Sequence, residues 1–106
     1  MDFRRSEMPT FVASYDLEKT NPDPHGEFLK QAQQYGWKTW ILSNGNIWHH
    51  LPNTTLEGTF DNITIARNAF NAAMVATAKV KPIVVEKWII VEYGNNLFDS
   101  DVRRPR

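Results

Sequence analysis

Two hydrophobic periodicities alternate along this chain, and their order restricts its fold more than any other feature. A period of two, which is typical of strands, predicts strands at residues 10–16 and 84–93. Spacings of three and four between apolar residues predict helices at residues 24–35 and 63–77. Between the helices, two short aromatic runs joined by an Asn-Gly pair predict a hairpin over residues 37–51. The predicted order is therefore strand, helix, hairpin, helix, strand.

This order closes as an α+β domain of the ferredoxin-like βαββαβ type, with one four-stranded antiparallel sheet and two helices on one of its faces. The first and last strands would lie side by side at the centre of that sheet. A chain of 106 residues is long enough for one such core and too short for two. We expect the folded domain at residues 10–94, between a flexible N-terminal segment at residues 1–9 and a C-terminal tail at residues 95–106.

The charge balance and the absence of cysteine exclude several kinds of binding site. Lysine plus arginine equals aspartate plus glutamate at 12 each, so any contact with nucleic acid must be local. No cysteine is present, which excludes disulfides and zinc thiolate sites and fits a reducing compartment. The polar N-terminus lacks the pattern of a signal peptide, and no stretch approaches the roughly 20 apolar residues of a membrane span. We therefore expect a soluble, cytoplasmic protein without membrane contact.

Two helices on one sheet face would leave the opposite face uncovered. In the predicted fold that open face carries Val12, Trp88 and Ile90. An exposed apolar patch of this kind marks an interaction surface. A second copy of the chain is the simplest partner that could cover this face, because two-fold homodimers are the commonest oligomers. We therefore expect a homodimer interface at these three residues.

Asp16 is the first candidate for chemistry, because a carboxylate at the end of a central strand can lie at the rim of a dimer cleft. Asp16 and Glu18 point the same way on a strand, so their oxygens could jointly hold a hard cation such as Mg²⁺ or Mn²⁺. The alternative is that Asp16 is a strand-end carboxylate without a chemical role, which its spacing does not exclude.

His50 is the candidate general acid or base, since a histidine titrates near neutral pH. The neighbouring His49 faces the opposite side of the strand, so the two histidines are poor candidates for one shared metal. A half-buried strand histidine without a function is the alternative.

Clustered positive charge lies at the two ends of the chain, where Arg4 and Arg5 stand near the start and Arg103 and Arg104 near the finish. If a dimer brings these arginines together, they could bind the phosphates of a nucleic acid. The four tryptophans could stack on unpaired bases, as aromatic residues do in RNA-binding sheets, but such sheets also need basic neighbours. Solvated tails, and tryptophans that serve only the core or an interface, are the alternatives.

Three segments carry a resemblance to a known family: residues 10–17, Tyr35-Gly36-Trp37 at the end of the first helix, and Asn46-Ile47-Trp48 in the hairpin. Together they resemble the small CRISPR-associated endoribonucleases and their relatives, the VapD toxins and SinR-like proteins. The resemblance implies a ferredoxin-like homodimer that acts on nucleic acid, with an aspartate of each subunit facing its mate across a metal-binding cleft. That aspartate corresponds to Asp16. The family often has a serine where this chain has Asn46, and arginines where it has the Pro-His-Gly sequence at residues 24–26.

Two functions from different classes follow. The first is a dimeric, metal-dependent nuclease or endoribonuclease, in which Mg²⁺ or Mn²⁺ held by Asp16 activates water to cleave RNA or DNA. The alternative is a non-catalytic dimeric adaptor or regulatory binding protein of the same fold, which recognises a protein partner. A small-molecule-binding domain is a third possibility, because this fold hosts many unrelated functions.

Overall fold

The computed structural model describes residues 8–106, which form two helices and six strands. In chain order the elements are β1 (Thr10–Leu17), α1 (His25–Gln34), β2 (Trp40–Leu42), β3 (Ile47–His50), β4 (Thr55–Thr59), α2 (Ile63–Ala78), β5 (Val85–Tyr93) and β6 (Arg103–Pro105). The strands divide into two antiparallel sheets of three, a main sheet in the order β4-β1-β5 and a small sheet in the order β2-β3-β6. No helix within the described part of the chain is long and apolar enough to cross a membrane.

The core lies between the main sheet and the two helices. Phe11, Ala13 and Tyr15 alternate along β1 and are buried, as expected for one face of a central strand. Phe28 of α1 and Phe70 of α2 meet Tyr15 edge to face, with ring centroids 5.0 and 5.8 Å from that of Tyr15. Both helices therefore pack on the β1 face that carries these three residues.

Side chains that accept hydrogen bonds from the backbone mark where both helices begin. The Asn62 side chain caps α2 by accepting a hydrogen bond from the Ile65 N–H at 2.9 Å. Asp23 accepts one from the His25 N–H at 3.0 Å, just ahead of α1. Along α2, Ala66 and Ala73 are fully buried beside Phe70, so small side chains bring this helix close to the sheet.

The prediction of a single four-stranded βαββαβ sheet is wrong. Between α1 and β2 the chain forms an isolated bridge to the main sheet, where Lys38 and Glu57 exchange two backbone hydrogen bonds of 2.7 and 3.0 Å. The hairpin of β2 and β3 then turns away and pairs with β6. Its place beside β1 is taken by β4, which lies outside the predicted hairpin at residues 37–51. Residues 8–106 are α+β with two helices, but their strands form two sheets.

The predicted C-terminal tail at residues 95–106 contains a strand. Strand β6 pairs with β3, with Arg104 opposite Trp48 and Arg103 opposite His49. The pairing occurs because the hairpin leaves one edge of β3 open, and an open edge offers unpaired N–H and C=O groups to another strand. Residues 1–7 of the predicted N-terminal segment lie outside the described residues.

Val12, Trp88 and Ile90 do not share one face of the main sheet, contrary to the expectation for a dimer interface. Trp88 and Ile90 stand opposite Tyr15 and Ala13 in the register, on the face that the helices cover. The Trp88 ring centroid lies 5.9 Å from that of Phe70. Val12 points to the other face of the sheet, which carries no helix.

Candidate functional site

A cleft of about 460 Å³ separates the open face of the main sheet from the small sheet. One wall comes from Val12 and Val91 of the main sheet, and the facing wall from Ile41 and Leu51 of the hairpin region. The segment after β5 closes one side. We call this space the intersheet cleft. Its volume is within the range of small-molecule sites. Its lining residues are Val12, Ile41, His49, His50, Leu51, Pro52, Glu57, Val91, Tyr93, Asn95, Asn96, Leu97, Phe98 and Asp99.

Glu57 and Tyr93 form a hydrogen-bonded pair inside the intersheet cleft. Glu57 projects from β4 and Tyr93 from the end of β5, and the Tyr93 hydroxyl donates a hydrogen bond to the Glu57 carboxylate. Burial raises the pKa of Tyr93, and its hydrogen bond to Glu57 and the negative charge of that residue raise it further. The Tyr93 hydroxyl therefore stays protonated at neutral pH and orients one carboxylate oxygen of Glu57.

His49 and Asp99 occupy another part of the intersheet cleft. The His49 Nε2 lies 3.9 Å from the Asp99 Oδ1, and its Nδ1 lies 3.2 Å from the Ile47 carbonyl oxygen. A backbone hydrogen bond from Ser100, followed by the contacts with Arg103 at 2.8 Å, lowers the pKa of Asp99. Asp99 is therefore an ionised group that is already engaged by an arginine.

The opposite face of the small sheet carries aromatic and basic residues. Because successive strand residues alternate between faces, Trp40, Trp48, His50 and Arg104 all point away from Ile41 and His49. We call these four residues the tryptophan face. The Arg104 guanidinium carbon lies 4.4 Å from the centre of the Trp40 ring, and the His50 ring meets Trp40 edge-on at 4.8 Å. Both tryptophans are half-buried, so part of each ring is open to solvent.

The predicted metal site is an exposed position at the end of β1. Asp16 and Glu18 are both exposed and border a shallow depression that also involves Asp23 and Glu86. Asp16 stands opposite Lys87 in the register. Within residues 8–106 no three His, Asp or Glu side chains come together in a geometry suited to a metal ion.

The predicted catalytic pair Asp16 and His50 lines two separate depressions. The His50 Nδ1 lies 2.7 Å from the Leu51 carbonyl oxygen, within hydrogen-bonding distance. The structure therefore groups His50 with Trp40 and Arg104 rather than with Asp16.

The arginines predicted to bind nucleic acid have distinct positions. Arg104 belongs to the tryptophan face, whereas Arg103 points to the other side of the small sheet and pairs with Asp99. Arg4 and Arg5 lie outside the described residues.

Sequence reasoning missed Glu57, Tyr93 and Asp99. The one available signal was Glu57 itself, a charged residue between the apolar Leu56 and the small Gly58. This signal indicates a site residue only if the segment around Glu57 is recognised as a strand.

Comparison of the chain with protein-family models, with curated proteins and with solved structures finds no match. The site is therefore interpreted from its own geometry.

Proposed function

We propose that this protein binds single-stranded nucleic acid on the tryptophan face. The observation that carries the proposal is the Arg104 guanidinium stacked 4.4 Å above the Trp40 ring, on the same sheet face as Trp48. Proteins that bind single strands combine aromatic platforms for bases with arginines that follow the phosphates. The tryptophan face supplies both kinds of group within three short strands.

The strand pairing provides the basic neighbours that tryptophans need for such a role. In the sequence, Arg104 is 64 positions from Trp40, but β6 brings the two side chains together. Arg106 follows β6 with the same alternation and is exposed. Because the net charge is zero, binding rests on these few arginines, so we expect modest affinity and marked weakening by salt.

Fluorescence anisotropy with labelled oligonucleotides of about ten nucleotides tests this proposal directly, with single-stranded and duplex RNA and DNA as separate arms. We expect the single strands to bind more tightly than the duplexes. Trp40→Ala and Trp48→Ala should each weaken binding by about 5- to 150-fold, the equivalent of about 1–3 kcal/mol of lost stacking. Arg104→Ala should also reduce the slope of log K against log salt by about 0.7.

The matched control is Arg67→Ala, which removes an exposed arginine from α2, far along the chain from the tryptophan face. This variant should bind as the wild type does. Equal binding by all four variants, or no binding of any oligonucleotide by folded wild-type protein, would contradict the proposal.

Cleavage of the bound strand is a separate proposal, carried over from the sequence. Addition of Mg²⁺ or Mn²⁺ to the same oligonucleotides, with wild type and Asp16→Asn compared, tests whether Asp16 supports hydrolysis. Metal-dependent products that disappear in Asp16→Asn would support a nuclease. Intact oligonucleotides throughout would contradict the nuclease proposal and leave the binding proposal unaffected.

We further propose that two copies of the chain associate through β5 and not through the face predicted from sequence. Within the described residues β5 pairs only with β1, so one edge of this nine-residue strand is open. Open strand edges bind other strands. In an antiparallel pairing centred on Ile90, Ile89 of one subunit would stand opposite Val91 of the partner subunit. These side chains are 58% and 42% exposed in the single chain, so the pairing would cover apolar surface.

A further inference from the structure

We propose that the intersheet cleft binds an amphipathic organic amine, with its ammonium group on the Glu57 carboxylate and its apolar body between the two sheets. This site lies on the side of the small sheet opposite Trp40, Trp48 and Arg104, and His50 is the one residue of the tryptophan face that also borders it. The inference is therefore independent of nucleic-acid binding.

The walls of the intersheet cleft favour an apolar body. Val12 and Val91 face it from the main sheet, and Ile41 and Leu51 face it from the other side. At its mouth, Leu97 is 101% exposed, which leaves a large apolar side chain entirely in water. Burying such surface against a ligand is favourable.

The charges in the intersheet cleft favour a cation. Glu57 and Asp99 are the formally charged residues in its lining, and both are acidic. Asp99 is paired with Arg103. Glu57 instead accepts a hydrogen bond from the neutral Tyr93 hydroxyl, and no lysine or arginine in residues 8–106 forms a salt bridge with it. An ammonium group would supply the opposite charge in partly desolvated surroundings, where a charge-assisted hydrogen bond is strongest.

The geometry around Glu57 fixes where that ammonium would sit. The Tyr93 hydroxyl binds one carboxylate oxygen, Oε2, and leaves Oε1 available to a ligand. The Glu57 backbone is itself held by the two hydrogen bonds to Lys38 at the junction of the sheets. Side chain and backbone are thus both constrained, which reduces the entropy lost on binding.

Three probes of one shape and different charge test the proposal: phenethylamine, the neutral 2-phenylethanol and the anionic phenylacetate. Each is titrated into ¹⁵N-labelled protein near neutral pH and followed by two-dimensional NMR. Phenethylamine should shift amide signals of residues 91–99 and of Glu57, and it should bind at least about tenfold more tightly than either control probe. Equal binding of the amine and the alcohol, or shifts confined to other regions, would overturn the proposal.

Glu57→Gln removes the charge but keeps an oxygen that can accept from Tyr93. It should weaken phenethylamine binding by about tenfold or more and leave 2-phenylethanol unaffected. Glu92→Gln is the matched control, because Glu92 lies on the same sheet, is exposed, and stands opposite Phe11 on the other face. Unchanged affinity in Glu57→Gln, with the cleft signals still shifting, would overturn the proposal.

Leu97→Lys keeps the proposal testable if Glu57→Gln fails to fold. Because the Leu97 side chain is fully exposed, its replacement leaves the packing of the protein unchanged. Both probes should lose the apolar contact with Leu97, but the new ammonium at the mouth of the cleft should also repel phenethylamine and weaken its binding severalfold more than that of 2-phenylethanol. An equal effect on both probes would overturn the charge argument.

Discussion

At the scale of single residues, the Tyr15 hydroxyl is one of two buried side-chain polar groups in residues 8–106 without a hydrogen-bond partner, the other being the Trp37 indole N–H. The Tyr15 hydroxyl is buried among the rings of Phe28 and Phe70. A buried polar group without a partner costs about 1–3 kcal/mol. Tyr15 therefore contributes to the core through its ring and opposes folding through its oxygen.

We expect Tyr15→Phe to leave the free energy of unfolding unchanged or to raise it by about 1 kcal/mol, since the ring packing is kept and the unpaired hydroxyl is removed. Urea denaturation at neutral pH measures the difference. A loss of more than about 1 kcal/mol would show that the hydroxyl has a favourable contact after all.

The same substitution should change the response to alkali. Burial raises the pKa of Tyr15, whereas a tyrosine in the unfolded chain ionises near pH 10. Above about pH 10 the unfolded state therefore releases a proton that the folded state keeps, so the free energy of unfolding falls as the pH rises. Tyr15→Phe should lose less stability over this range. Tyr35→Phe, at an exposed position, should follow the wild type.

At the scale of elements, one glycine of β4 allows this strand to pack closely against the end of α1. Gly58 lies in β4 opposite Phe11. A Cβ atom at this position would stand 2.6 Å from the Phe60 ring and 2.9 Å from the Gly36 carbonyl oxygen. The carbonyl belongs to the backbone and cannot move independently. Gly58 thus permits the close approach of β4 to the end of α1.

We expect Gly58→Ala to lower the free energy of unfolding by about 1–3 kcal/mol, because the added methyl group overpacks this contact. Gly94→Ala is the control, since a Cβ there has no neighbour within 4 Å. Thermal melts of the two variants beside the wild type measure the effect. Equal melting temperatures for all three proteins would contradict the proposed close contact.

The helices, the hairpin of β2 and β3, and the pairing of β1 with β5 could be predicted from the sequence, but the pairings of β4 and β6 could not. Both helices follow local signals: the apolar spacing, the Asn62 cap, and Asp23 ahead of α1. The pairings of β4 and β6 depend on contacts between distant residues, which periodicity does not encode. The three residues of β6 include two arginines and a proline, a composition typical of a solvated tail. Its pairing with β3, and with it the tryptophan face, could not be predicted.

At the scale of the whole molecule, the proposed self-association rests on the position of β5 at the edge of the main sheet. We expect wild-type protein to dimerise in sedimentation velocity experiments and Ile89→Lys to remain monomeric, because the lysine would replace an apolar contact with Val91 of the partner subunit by a charge and weaken the pairing. Val75→Lys is the control, since Val75 is similarly exposed, at 54%, but lies on α2. A monomeric wild type, or a dimer that survives in Ile89→Lys, would contradict association through β5.

The shallow burial of the small sheet has a consequence for amide hydrogen exchange. Every residue of β2 and β3 is only half-buried and β6 is exposed, whereas β1 carries three fully buried core residues. Segments with little buried apolar surface open at a lower free energy than the core. We therefore expect the small sheet to open on its own, so that its amides exchange faster than those of β1 and the helices. One side of this sheet lines the intersheet cleft, and the other carries the tryptophan face. A single opening event would therefore expose the interior of the intersheet cleft and separate the residues of the tryptophan face.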